Sequence, residues 1–541
     1  MIMAARAAPP VLLLLLFFLV TASLLAVDAS AAASAPGVNS PFVLAAARTQ
    51  RKDPLDGLRY YTGGWNISSE HYWASVGFSA APVFAAAGVW FAVFGAALFV
   101  AWCCYCCCCP SRSTSYSRVA LVVSLLLLLA FTAAAAIGCA VLYDGQGRFH
   151  GSTAATVDYV VKQSGYTVDN LRAFSGFLEA AKAAGVGPVS LPDDLKGRID
   201  GVVRRVSSAS DELASRTASN SAKIRDALDT IRKILIVLAA GMLILAFAGL
   251  VFSACGLESL VYVLVFLGWI LVAATFVMCG TFLLLHNVVG DTCVAMGEWV
   301  RRPQEHTALD DILPCVDTAA ATEALGRSKE VNYRLVDVLN GVISNVTNRD
   351  FPPQAPLSPP LYYNQSGPLL PLLCNPYTPD LRDRACAPGE VAGPDAARQA
   401  WGGRVCRTAD AGGSGVCVTA GRLTPSMYAQ MVGAANVSYG LSRYGPVLVD
   451  LADCAFVRRA FQAVGEDHCP GLRRYSEQVY RGLLAVAAAG LLSVLLWVVH
   501  SRERRKRSDA REVELMAPPP PFRYPLEEKA LLHSPRRRPY M

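Results

Sequence analysis

Six stretches of the chain are almost wholly apolar, and much of the remainder repeats its apolar positions every three to four residues. The first stretch, Val11–Val27, is broken only by Thr21 and Ser23. It follows Arg6 and runs into small residues, where Ala29-Ser30-Ala31 fits an A-x-A cleavage pattern. That order predicts a secretory signal peptide over residues 1–31. The other five are Pro82–Tyr105, Val119–Leu142, Ile234–Cys255, Leu260–Leu285 and Gly482–Val499, and none holds Asp, Glu, Lys, Arg or His. Each comes near the ~20 apolar residues a helix needs to cross a bilayer. An ordinary core helix would keep a polar face, and these do not. The segments between them are 32–81, 106–118, 143–233, 256–259, 286–481 and 500–541.

The polar segments carry their own pattern. Leu195, Ile199, Val202, Val206 and Leu213 recur at helical spacing, and Ile224, Leu228 and Ile231 carry the seam into the third span. Pro192-Asp193-Asp194 is the start signal. A helix from there to Lys233 would rise about 60 Å at 1.5 Å per residue. Val157, Val160, Val161, Leu171, Phe174, Phe177 and Leu178 form a second stripe, and Gly185-Val186-Gly187-Pro188 reads as the turn between the two helices. Near the ends of 286–481, two more stripes appear: Leu325, Val331, Leu335, Val338, Leu339, Ile343, and Leu448, Leu451, Phe456, Phe461, Val464. The Pro/Gly-rich stretch 351–421 between them reads as an irregular, disulfide-tied cap. The fold class expected is an all-α membrane protein: five transmembrane helices, a long extracellular helical stalk and that cap.

Orientation follows from charge. A cleaved signal leaves the N-terminus outside, so five spans leave the C-terminus in the cytosol. The block Arg502-Glu503-Arg504-Arg505-Lys506-Arg507 flanks the last span, and Arg112 and Arg118 sit in the 106–118 loop without an acid, as the positive-inside rule asks. The sequons at Asn66, Asn345, Asn364 and Asn436 all fall in segments that this topology places outside, where glycosylation occurs. Arg232 and Lys233 argue the other way, but long loops translocate largely regardless of charge.

Composition agrees with membrane insertion. Hydrophobic residues make up 53% of the 541 positions and charged ones 17%, too little charge for a soluble chain of this size. The net charge of +7 is too small and too scattered for a nucleic-acid binder. The seventeen cysteines sort by segment. Cys293, Cys315, Cys374, Cys386, Cys406, Cys417, Cys454 and Cys469 share the last outer loop, and an even set in an oxidising compartment reads as four disulfides. Connectivity is open, and the distances of Cys293, Cys469, Cys315 and Cys454 from their spans make the nested pairs 293–469 and 315–454 the expected ones. Cys103, Cys104, Cys106, Cys107, Cys108 and Cys109 cluster at the inner end of the first span, where juxtamembrane cysteines are S-palmitoylation targets. The alternative is that they simply end the span as small apolar residues.

Two large glycosylated outer loops and cysteines after the first span resemble the prominin and tweety families in architecture. The stretch Arg59-Tyr60-Tyr61-Thr62-Gly63-Gly64-Trp65-Asn66-Ile67-Ser68 through Phe78, with the Cys-rich run at 103–109, resembles a plant five-pass family, some members of which carry the label plasma membrane fusion protein. The prominin resemblance implies curved plasma-membrane protrusions and sterol contact. The tweety resemblance implies a homodimer with a disputed role in anion conduction or lipid transfer. That family's basic pore residue has no counterpart, because no span holds Lys or Arg.

The seven histidines are dispersed, with no H-E-x-x-H pair, and no nucleophile elbow or phosphate-cradling loop occurs. No cofactor, metal site or enzymatic reaction is expected. From Ser501 onward eleven Lys and Arg face six Asp and Glu. Arg502, Arg504, Arg505, Lys506 and Arg507 are placed to meet anionic inner-leaflet lipid, and equally to fix topology. Pro518–Pro521 favours polyproline II, and Glu527 with Leu531 and Leu532 resembles an acidic dileucine signal for a cytosolic adaptor and endosomal cycling. The expected function is a non-enzymatic plasma-membrane organiser of domains or protrusions, working through lipid contacts and the stalk. A tweety-like channel or lipid-transfer protein and a cell-surface receptor are the alternatives.

Overall fold

A computed structural model describes residues 42–107, 117–186, 189–302, 305, 307–310, 318–350, 366–408, 417–452 and 454–516. The expected signal peptide, Cys108, Cys109, Cys315, Asn364 and the Glu527–Leu532 signal lie outside them. The described chain is almost entirely helical. A short helix α1 (Ala46–Thr49) and the hairpin β1 (Lys52–Asp53) to β2 (Arg59–Tyr60) precede α2 (Glu70–Val89). A π-helical turn, Trp90–Phe94, joins α2 to α3 (Gly95–Cys107). Then come α4 (Arg118–Ala183), the hairpin β3 (Gly185–Val186) to β4 (Val189–Ser190), α5 (Asp193–Cys255) and α6 (Glu258–Arg301). The remainder is α7 (Thr318–Val342), α8 (Gly393–Gly402), α9 (Pro425–Ala452), α10 (Ala455–Ala463) and α11 (Cys469–Met516). Among the described residues, five helical stretches are long and apolar enough to cross a membrane, the first running from α2 through the π-turn into α3, and each coincides with one of the expected spans. The helices run on well past the apolar stretches, because an amphipathic face sustains a helix in water as an apolar run does in lipid.

The chain divides into two compact units. The first holds residues up to 83, 141–237 and 279–481. Within it α4 and α5 lie antiparallel, and their side-chain pairs show the register. Asp158 meets Arg225, Ser164 meets Thr217, Arg172 meets Asp211, Ser175 meets Ser207 and Lys182 meets Asp200. Each step up one helix is matched by an equal step down the other. The seam read from the sequence is buried at Leu195, Ile199 and Val206, facing Leu171, Phe174 and Leu178. Val203 is buried where Val202 is only partly so, a one-residue rotation of the stripe.

The same core takes in α7 and α9 through Val331, Leu335, Leu339, Met431 and Leu441, and Ile343 just past the end of α7. Asn332 is buried, and its Nδ2 donates to the Ser438 carbonyl and the Ser442 hydroxyl. The cysteine-bearing stretch is irregular and tied by disulfides, and it packs into this core. Leu370, Leu373, Val391 and a fully buried Trp401 on α8 belong to this core, and the Trp401 indole donates to the Pro371 carbonyl. Its irregular backbone, with isolated bridges at Leu373–Val391 and Val405–Leu423, left no periodic signal in the sequence.

The second unit holds 84–140, 238–278 and the chain from 482. Small residues set its helix spacing: Ala135, Ala246 and Ala489 meet in one cluster. Gly490 faces Met242 and Val272, and the Trp497 ring lies flat on Gly249, where a Cβ would strike it. The π-turn is pinned by a reciprocal tryptophan pair. Trp90 donates to the Trp269 carbonyl at 3.0 Å, and Trp269 donates back to the Phe91 carbonyl at 3.1 Å. The outward side chains are apolar, with Phe99, Trp102, Ile137 and Ile244 each more than 60% exposed.

Candidate functional site

In the first unit, residues 42–78 fold onto one face of α6. Asp291, Ala295, Glu298 and Trp299 recur at helical spacing and make that face. Leu44, Ala45, Tyr61, Trp65, Tyr72 and Val76 pack on Ala295 and Trp299. Tyr61, Trp65 and Tyr72 of the aromatic stretch are therefore core, while Tyr60, Trp73 and Phe78 stay at the surface. Ala45 takes a left-handed conformation, φ 53°, and its amide donates to Glu298 at 2.6 Å. The Trp65 indole donates to the Thr292 hydroxyl at 2.9 Å.

The centre of this contact is ionic. Asp291, with a side chain 0% exposed, accepts from Arg48 Nε at 3.0 Å and from Arg51 Nη2 at 2.7 Å on one oxygen. Its other oxygen accepts the Tyr72 hydroxyl at 3.1 Å. Burial draws the Arg48 guanidinium below its ordinary range; Asp291 opposes this, and Arg473 and Arg51 add to it. It stays charged at any physiological pH. Next to it, Asp53 joins His71 at 2.5 Å and caps the Leu55 amide at 2.9 Å. Nothing local in the sequence marks Arg48 and Arg51 as partners of Asp291, which lies 243 and 240 residues further on. The one signal was an acid just past the end of an apolar run.

The expected site residues fall as follows. Cys293 and Cys469 pair with S–S 1.99 Å, Cys374 with Cys386 at 2.02 Å, and Cys406 with Cys417. Cys454 is disulfide-bonded, and Cys315, its expected partner, lies outside the described residues. Asn345 sits exposed in the π-helical turn Ile343–Thr347, Asn436 sits exposed on α9, and Asn66 is half-buried with its side chain capping the Ser68 amide. Cys103 is half-buried and Cys104 exposed near the end of α3, which also contains Cys106 and Cys107.

The basic block is helical, because α11 continues to Met516, so its charges are spread around a helix rather than along a loose tail. Arg502 and Arg507 are exposed, and Arg505 is half-buried. Arg504 turns inward instead: its Nη1 donates to the carbonyls of Ser253 and Ala254, at 2.8 and 2.7 Å, closing the C-terminus of α5. Gly256, at φ 81°, supplies the left-handed turn and the space for that guanidinium. Lys506 pairs with Glu503 at 2.6 Å. Arg504 and Lys506 are thus engaged within the protein, on the C-terminus of α5 and on Glu503.

Among the described residues no three His, Cys, Asp or Glu side chains gather closely enough to hold a metal ion. No protein-family model matches the chain, and no curated protein matches it.

Proposed function

We propose that the chain is a non-enzymatic integral protein of the plasma membrane that organises membrane domains or protrusions. One observation carries this reading: the two units have opposite surfaces. The first closes a core of its own, ties itself with disulfides and carries surface ion pairs such as Arg172–Asp211, Lys182–Asp200 and Arg225–Asp158. The second shows Phe99, Trp102, Ile137 and Ile244 outward, a surface suited to lipid. On this reading the first unit is extracellular and glycosylated at Asn66, Asn345, Asn364 and Asn436. The Cys103–Cys109 cluster is acylated at the inner leaflet, and the C-terminal helix is cytosolic. Resemblance at 59–78 and 103–109 to the plant five-pass family supports the plasma-membrane assignment.

The test replaces Cys103, Cys104, Cys106, Cys107, Cys108 and Cys109 together with Ser in full-length tagged protein. Acyl-exchange labelling should vanish and the protein should disperse within the membrane, while glycosylation of the first unit persists. Absence of acylation in the unaltered protein, with an unchanged distribution in the variant, would remove the proposal.

A further inference from the structure

We propose that Arg48 and Arg51, held on Asp291, form a binding site for a phosphate-bearing anion. Three observations point there. The first is an excess of donors. A guanidinium offers five N–H groups, yet among the described residues Arg48 uses only Nε and Arg51 only Nη2, both on the same oxygen of Asp291. Asp291 gives its other oxygen to the Tyr72 hydroxyl, so three donors already converge on this one carboxylate. Arg51 Nη1 is buried and meets no acceptor. A charged donor shielded from water without a partner is costly, and a tetrahedral oxyanion supplies acceptors in the fork geometry that guanidinium groups match.

The second observation is charge. Two cations share one carboxylate, which leaves the clamp net positive. Arg473, on α11, adds to the positive field at Arg48, and His286 lies in the field of both. Glu477 is the nearby acid that offsets part of it.

The third is shape. Arg48 lies against the α6 backbone at Gly290, where a Cβ would collide with Nη2 and sit 2.5 Å from Cζ. The absent side chain leaves the space that the guanidinium occupies. Arg48 is 27% exposed at its side chain, so a ligand can reach it, while Arg51 at 13% forms the floor.

The anion comes from one of two sources, a phospholipid headgroup or free phosphate. The lipid source rests on the membrane reading above, and the free-phosphate source does not. Full-length protein in detergent micelles is titrated calorimetrically, at constant ionic strength, with sodium phosphate, dihexanoyl phosphatidic acid and dihexanoyl phosphatidylcholine. Binding of phosphatidic acid without phosphate assigns the headgroup, and binding of both assigns the phosphate group itself. Arg51→Gln should weaken binding tenfold or more. Gly290→Ala, which displaces Arg48 but spares Arg51 and Asp291, should weaken it several-fold, as should Arg473→Gln, which leaves the clamp intact. If Arg51→Gln fails to fold, the other two variants carry the comparison. No heat above a chloride control, equal binding of phosphatidylcholine and phosphatidic acid, or unchanged affinity in Gly290→Ala and Arg473→Gln would overturn the proposal. None of these results bears on acylation of the cysteine cluster, so the two readings fail separately.

Discussion

Two glycines on α9 should respond to the same substitution with opposite sign. Both gain helix propensity from Gly→Ala, worth about 1 kcal/mol. At Gly433, nothing lies within 4 Å of the new methyl, so Gly433→Ala should stabilise by about that amount. At Gly440 the new methyl would fall on the ring of Phe177 from α4, 2.5 Å from Cγ. Phe177 cannot retreat freely, because its other face is stacked on Tyr444 at 5.6 Å and 23°. Overpacking of this kind costs about 1–3 kcal/mol. Gly440→Ala should therefore range from neutral to about 2 kcal/mol destabilising. The two variants differ by roughly 1–3 kcal/mol, which is about a 5- to 150-fold difference in the opening equilibrium. Hydrogen exchange of α9 amides, measured by mass spectrometry on the full-length protein in nanodiscs, reads that ratio directly. Adding Phe177→Leu should relieve Gly440→Ala but leave Gly433→Ala as it was, giving a coupling energy only at the contact. If both alanines slow exchange equally, Phe177 does not rest on Gly440, and the packing of α4 on α9 described above is wrong.

Other outcomes follow from the polar contacts. Arg504→Gln should speed amide exchange at the end of α5, because the Ser253 and Ala254 carbonyls lose their donor, at a cost of about 1 kcal/mol. It should also reduce binding to anionic vesicles less than Arg507→Gln does, since Arg504 is already engaged; a larger loss for Arg504→Gln would contradict the cap. Glu390 accepts from Arg384 at 2.5 Å and from the Ala387 amide, which holds its carboxyl below the usual range. That contribution is complete above the ordinary carboxylate value of about 4.3 and is lost as pH falls through the lower folded value. Glu390→Gln should therefore speed exchange around Cys374–Cys386 at neutral pH, change little below the folded carboxyl value, and so flatten the acid limb of the profile; an unaltered acid limb would refute the linkage.

The sequence made the helices legible where a single local rule governs them. Apolar runs without a charge marked each helix able to cross a membrane, and the spacing of Leu195, Ile199 and Val206 marked the buried stripe of α5. It was weaker where partners are distant. Trp401 enters the core from a stretch whose Pro and Gly content resembles a loose cap, because burial there is organised by bridges and disulfides rather than by a repeat. Arg504 sits in a run of basic residues and nothing adjacent distinguishes it from Arg505. Only its turn of α11 brings it to the open carbonyls of Ser253 and Ala254. Asp291 was hidden for a similar reason. Its two arginine partners come from the far end of the chain, and no local pattern encodes such a pairing.

The crosslinks also impose an order of assembly during synthesis. Cys374–Cys386 and Cys406–Cys417 span 12 and 11 residues, so both halves of each emerge almost together. Cys293 waits for a partner 176 residues later. At the about 5–20 residues per second of translation, that delay is roughly 9–35 seconds. Through that interval the Cys293 thiol is unpaired while later cysteines appear beside it, so it is the thiol most open to wrong partners. Fast local closure of the two short loops withdraws four of those rivals before Cys469 arrives.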